Sequence, residues 1–253
     1  MCLIAFAWRA HPRWRLVLAG NRDEFHVRPT APLAPWDEAP QILAGRDLEA
    51  GGTWAGVGPL GRASVITNVR DMTADHSGIS RGLLVADYLG STIPAREHAI
   101  ELMASARDYR PFNLLTFDRD DAYYLGNHPG ARAQLVDTGI HGLSNADFNA
   151  PWPKTRALVH RLTDWIAEGK GDDTEALFAM LSDQGRWPDD LLPDTGIGIE
   201  RERILSSAFI VGENYGTRAS TVVLIDHDDR TIIAERRFGP NGVPEGETRL
   251  ELD

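Results

Sequence analysis

Residues 1–24, MCLIAFAWRAHPRWRLVLAGNRDE, decide how this chain is read. The apolar run 2–8 (CLIAFAW) predicts a buried strand, and 15–21 (RLVLAGN) a second one. The polar, proline-containing link 9–13 joins them as a hairpin. Cys2 follows the initiator methionine, and methionine aminopeptidase trims Met1 before a small residue. A trimmed chain begins with a residue that carries both a thiol and a free amine. Such an amine titrates near ~7.7–8.0, so it can act as the thiol's own base without a histidine. The returning strand brings Asn21-Arg22-Asp23-Glu24 beside Cys2. Asp23 can hold the α-ammonium, and Arg22 can lower the thiol pKa or hold a substrate carboxylate. Taken singly, each feature has a plainer reading: a buried strand cysteine, and a turn whose Asn and Asp bond their own backbone.

Outward from this hairpin, Pro29, Pro32, Pro35 and Pro40 predict a long irregular crossing over 26–45. Residues 53–58 and 62–69 predict another hairpin, turning at 58–61. Ser80 is a candidate cap for a helix to about Leu89, and Pro94 suits the first position of a helix over 94–106. Strands follow at 112–118, 121–126 and 139–145. Pro153 opens the clearest helix, with Leu158, Leu162, Trp165 and Ile166 on one face and Gly169 as its stop. A shorter helix is expected at 173–183, no element over 185–203, and strands at 207–213, 219–226 and 231–238. Strands come in antiparallel runs and helices in blocks, which is not βαβ alternation. The expectation is a single α+β domain over 1–253, a four-layer αββα sandwich of two antiparallel sheets between helices.

Composition narrows the function. A net charge of −11 with scattered arginines argues against nucleic acid and against anionic membrane surfaces. A lone cysteine forms no internal disulfide and fits a reducing compartment. The apolar run at the start ends at Arg9 with no basic region before it, unlike a signal peptide, and no stretch reaches the ~18 apolar residues of a membrane span. A cytoplasmic protein without stable membrane insertion is expected. The eight histidines form no HxxxH, HExxH or CxxCH, so no metal site is expected. No serine sits in GxSxG. Gly51-Gly52-Thr53-Trp54, with Gly56 and Gly58, lacks the GK[S/T] of a phosphate loop and reads as tight turns, with Trp54 as a pocket-lining candidate. Asn68 and Asn145 sit at strand ends, where a carboxamide can donate to an oxyanion or simply cap a loop. Arg218 enters an apolar strand and needs a carboxylate or a bound anion.

The order of these pieces resembles one family. Met1-Cys2, Asn21-Arg22-Asp23-Glu24, Gly51-Gly52-Thr53-Trp54, Thr67-Asn68, Ser80-Arg81-Gly82, Phe112-Asn113-Leu114-Leu115, Gly142-Leu143-Ser144-Asn145 with Pro151-Trp152-Pro153-Lys154, and Tyr215-Gly216-Thr217-Arg218 resemble the NRDE family, also called the transport and Golgi organisation family. The resemblance implies the αββα fold of the N-terminal-nucleophile hydrolases. The chain also looks like their cysteine branch, which includes penicillin V acylases and bile salt hydrolases. There Cys2, Asp23, Asn68, Asn145 and Arg218 fit the catalytic pattern in order. One arginine departs from it: the acylases carry it three residues before the aspartate, where this chain has Gly20, and Arg22 adjoins Asp23 instead. Arg22, Asn21 and Trp54 are the substrate-side candidates.

Two functions follow from the resemblance. One is an N-terminal cysteine hydrolase of amide C–N bonds that requires no cofactor. The other is a binding or trafficking protein for haem or an acyl-lipid or acyl-CoA, with a thiolate that can ligate haem iron. The partner is a small molecule with an acyl group or a haem ring. Trp8, Phe25, Trp36 and Trp54 are candidates to line its pocket. Oligomeric state has no signature in the sequence.

Overall fold

The computed structural model describes residues 2–169, 171 and 173–252. Met1, whose removal the free-amine chemistry needs, lies outside them. β1 (Cys2–Trp8) and β2 (Trp14–Phe25) form the expected hairpin, with Cys2 opposite Arg22 and Trp8 opposite Leu16. β2 runs longer than its apolar core suggests: the Asn21–Glu24 quartet lies inside the strand and not in a turn after it. Pairing explains this, because Tyr215–Asp226 (β11) covers the other edge of β2 along its whole length.

The proline-rich crossing over 26–45 is instead a pair of strands, β3 (Thr30–Trp36) and β4 (Ala39–Asp47). β3 is the edge of its sheet and its pairing slips between Ala31 and Ala34 and again after Pro35. A proline there forfeits no ladder bond, which is why the prolines do not forbid the strand. β5 (Ala55–Gly58) and β6 (Arg62–Asn68) form the second hairpin. After α1 (Gly82–Gly90) and α2 (Ala95–Ser105) come β7 (Phe112–Phe117), β8 (Ala122–Gly126), β9 (Arg132–Leu135) and β10 (Gly139–Leu143). Ser80 does not cap α1; Arg81 occupies that position without a side-chain cap. α3 (Pro153–Ala167) and α4 (Thr174–Leu181) precede α5 (Ile199–Ile204), which with a 3-10 turn at Asp189–Leu191 lies in the segment expected to be irregular. Residues 207–213 form no strand, although Ala208, Phe209 and Ile210 are buried. β12 (Thr231–Phe238) and β13 (Pro244–Leu252) complete the first sheet; β9 and β13 carry too few apolar residues to announce themselves.

The strands form two antiparallel sheets, ordered β10-β1-β2-β11-β12-β13 and β3-β4-β5-β6-β7-β8-β9. Alternation along β1 and β2 shows the layering. Ile4, Phe6, Trp8, Leu16 and Leu18 point into the core between the sheets, while Leu3, Ala5, Ala7, Val17 and Ala19 meet α3 and α4. A third core packs α1 and α2 on the second sheet through Leu84, Val85, Tyr88 and Leu114. The expected αββα sandwich is the observed one. Each fully buried Leu or Phe in these layers contributes roughly 1.5–3 kcal/mol of transfer free energy. Among the described residues, no helix is long and apolar enough to cross a membrane.

Candidate active site

The alternation that builds the core also divides the Asn21–Glu24 quartet. Arg22 lies on the inter-sheet side with Cys2, its direct cross-strand partner. Gly20 lies on that side too, opposite Ile4, so an arginine at 22 faces the same way as one at 20, two residues nearer the start of β1. Asn21 and Asp23 face the helices. The Asn21 amide donates to Leu181 O and Ala208 O, both at 2.8 Å, and its Oδ1 accepts from Ser220 Oγ at 2.6 Å. Asn21 therefore ties β2 to α4 and does not reach the substrate side, contrary to the sequence expectation.

At the strand ends a cavity of about 120 Å³ opens over Cys2, lined also by Arg22, Asp23, Trp54 and Asn68. Cys2 is half-buried. Burial pushes its thiol pKa up, and the Asp23 charge adds to this, while Arg22 and Arg81 pull it down. The Arg22 guanidinium lies 4.5 Å over the Trp54 ring. Asp23 is buried and accepts from Thr217 Oγ1 at 2.7 Å. Burial raises its pKa; Lys154 opposes that most strongly, and the Thr217 bond also lowers it.

The two asparagines are neighbours with unequal tasks. The Asn145 amide donates to Asn68 O at 3.0 Å and to Asn68 Oδ1 at 2.9 Å. Its two protons are thus taken, and it does not line the thiol cavity. Asn68 does line it, and among the described residues its Nδ2 makes only a 3.4 Å contact to Val69 O. Asn68 is the donor facing the cavity, and Asn145 fixes its orientation. Ser144 closes the arrangement by donating to Cys2 O at 2.9 Å.

Arg218 is not brought to the thiol. It sits in a bulge of β11, between Thr217 and Ala219, and donates to Phe25 O at 3.2 Å and Arg28 O at 2.8 Å. It lines a second cavity of about 340 Å³, which Arg22 and Trp54 also line from their other sides. The anticipated carboxylate or anion partner of Arg218 is replaced by backbone carbonyls of the loop after β2. Of the aromatic candidates only Trp54 faces the site. Trp8 is in the inter-sheet core, Trp36 packs in the α1 layer, and Phe25 is exposed against Tyr215.

Lys154 was missed as a site residue. It is buried, donates to Leu205 O at 2.9 Å, and its pKa is lowered to about 8, by burial first, against the pull of Asp23. Its place in the first turn of α3 sets it against the positive end of the helix dipole as well. A signal existed: Lys154, Leu158 and Leu162 recur every four residues, so a lysine sits on the apolar stripe. Behind it, Arg70 and Glu202 form a buried ion pair at 3.0 Å. Among the described residues, no group of His, Cys, Asp or Glu could hold a metal ion.

Residues 1–240 match the sequence profile of the family Transport and Golgi organisation 2. The Transport and Golgi organization protein 2 homolog of Bos taurus is 31% identical over 255 residues, covering 93% of this chain and 92% of its own length. The Homo sapiens homolog is 28% identical, with 98% of this chain and 97% of its own covered. Among solved structures, a penicillin V acylase from Agrobacterium tumefaciens superposes with a TM-score of 0.52 at 12% identity, over 99% of this chain and 86% of its own. A conjugated bile acid hydrolase from Clostridium perfringens gives 0.54 at 8% identity, over 100% and 92%. At such identity these two establish the N-terminal-nucleophile hydrolase fold and nothing about substrate.

Proposed function

Since the chain belongs to the Transport and Golgi organisation 2 family, on an N-terminal-nucleophile hydrolase fold, we propose that it is a Cys2-dependent hydrolase of amide C–N bonds. The observation that carries this is the cavity over Cys2, with Arg22 directly across from the thiol and Asp23 and Asn68 in the same wall. In a chain trimmed of Met1, the Cys2 amine takes the Sγ proton and the thiolate attacks the amide carbonyl carbon. Asn68 donates to the oxyanion. The ammonium then gives its proton to the departing nitrogen, the C–N bond breaks, and an acyl thioester remains. Water, deprotonated by the same amine, attacks the thioester; the C–S bond breaks and the thiol and a carboxylic acid are released. Asp23 holds the ammonium through these steps, and Thr217 and Lys154 oppose the burial that raises its pKa. No cofactor takes part.

The test is a panel of N-acyl amines followed by mass spectrometry, with intact mass establishing that Met1 has gone. Turnover should be lost in Cys2→Ala. A trimmed, folded chain in which Cys2→Ala changes the turnover of no panel member ends this reading.

A carrier of acyl-lipid or acyl-CoA type is the second reading, favoured by the 340 Å³ cavity beyond the Arg22–Trp54 wall. It predicts that an acyl ligand is retained without turnover, equally by Cys2→Ala. Haem suits the site poorly. The thiol cavity is well below the ~300 Å³ of small drug-sized sites, and no histidine lines it among the described residues.

A further inference from the structure

The cavity over Cys2 holds more positive charge than its carboxylates neutralise. Arg28 is matched, at 2.8 Å to Asp47 and 2.9 Å to Glu49. The Asp47 carboxylate also takes the backbone amides of Glu49 and Ala50, so both its oxygens are engaged. Glu24 Oε1 accepts its neighbour's amide, and its Oε2 stands 4.0 Å from both Arg22 and Arg28. Asp23 is held by Thr217 and faced by Lys154.

Three cations are less closely matched. Arg22 is buried, with its side chain 7% exposed; its carboxylates stand at 3.9 Å (Asp47) and 4.0 Å (Glu24), and its Nη1 has no hydrogen-bond partner among the described residues. Arg81, half-buried at the start of α1, makes one long contact of 3.4 Å to Pro111 O. Arg110 is exposed on the rim, next to Arg81. Neither Arg81 nor Arg110 has a carboxylate within ion-pair distance among the described residues. Their charges push on each other, and Arg81 is pulled toward Cys2 and Glu24. This happens in a chain whose net charge is −11. A buried guanidinium with an empty donor and two more beside it is the donor set of an anion site.

The geometry points to a docking site, formed by Arg22, Arg81 and Arg110, for a carboxylate or phosphate group on the acylated molecule whose carbonyl reaches Cys2. This rests on the hydrolase reading for the reaction, but not for the binding. The substrate class is therefore an acyl compound that carries an anionic group, a feature that the tryptophans of the sequence do not suggest.

The decisive experiment compares alkylation of Cys2 by iodoacetate and by iodoacetamide, which differ in one negative charge. The iodoacetate-to-iodoacetamide rate ratio should exceed that of N-acetylcysteine about tenfold or more, the worth of one charge-assisted bond. In Arg81→Gln and Arg110→Gln it should fall toward the free-thiol ratio, and in Arg156→Gln, which removes an exposed charge on α3, it should not. Inorganic phosphate and acetate are then titrated as protectants against iodoacetate; whichever protects at lower concentration names the group. A wild-type ratio equal to that of N-acetylcysteine, a ratio unmoved by both cavity variants, or protection by neither anion overturns the site. If Cys2 alkylates with neither reagent, a phosphate-dependent rise in Tm that disappears in Arg110→Gln reads the same site, and its absence in the wild type refutes it. Failure of Cys2→Ala to change amide turnover would sink the hydrolase and leave this site standing.

Discussion

The unequal roles of the two asparagines yield the sharpest prediction. Asn145→Ala removes both donors to Asn68, at 3.0 Å to its carbonyl and 2.9 Å to its side-chain oxygen. Asn145 is 1% exposed, so the freed acceptors have little water to turn to. At about 1–3 kcal/mol for a buried polar group left unpaired, and with Asn68 Oδ1 partly rehydrated from the cavity, the loss in stability should be about 2–4 kcal/mol. The Asn68 carboxamide is then free to turn its Nδ2 away from the cavity. A lost oxyanion donor typically costs about 10²–10³ in rate. Asn68→Ala and Asn145→Ala should therefore slow acylation of Cys2 by similar factors, near 10² on that scale. The double variant should be no slower than either single one, because both remove the same donor. The assay is the single-turnover burst of p-nitrophenolate from p-nitrophenyl acetate, with near-UV circular dichroism reporting that each variant is folded. Multiplying losses would mean that Asn145 acts on the oxyanion by itself, and an unchanged burst in Asn68→Ala would remove Asn68 from the reaction.

Two further outcomes follow from the same geometry. Lys154 titrates at about 8 in the fold against about 10.5 in an open chain, so between these values the unfolded state binds the extra proton and stability rises with pH, by up to about 3 kcal/mol. Urea unfolding from neutral pH upward should show this gain relative to Lys154→Met, and parallel pH profiles would refute it. A Cβ on Gly52 would overlap the Gly82 carbonyl group, so Gly52→Ala must push the loop off the start of α1. It should lower stability by about 1–3 kcal/mol and reduce the iodoacetate preference through displacement of Arg81; a variant with wild-type Tm and selectivity contradicts that contact.

The layers of the fold were legible because they rest on short-range patterns: the apolar runs of β1 and β2, and the four-residue stripe of α3. The strands over residues 30–47 were hidden because prolines usually break sheets; the edge position of β3 makes Pro32 and Pro35 harmless, and Pro40 lies at the start of β4 before its pairing with β5. β13 was hidden because most of its residues face solvent. In the site, Cys2, Asp23 and Asn68, which the family resemblance picks out in chain order, line one cavity. Asn21 and Arg218 were misplaced because sequence proximity to a site residue does not say on which side of a strand a side chain falls, or that a bulge turns it elsewhere. Lys154 left a trace in the stripe of α3, but Arg81 and Arg110 acquire meaning only from what they lack around them, and no linear pattern records a missing counter-ion.

The division of β2 into two faces also limits how this protein can change. One residue inserted or deleted between Trp14 and Gly20 would turn the rest of the strand over, bringing Asn21 to the inter-sheet side, parting Asp23 from Thr217 and driving the Arg22 guanidinium toward Leu181. Drift in steps of two keeps every side chain in its own layer. Relatives that carry the arginine at 20 or at 22 thus stand one permitted slide apart, whereas a relative with it at 21 would need a differently built floor beneath α4.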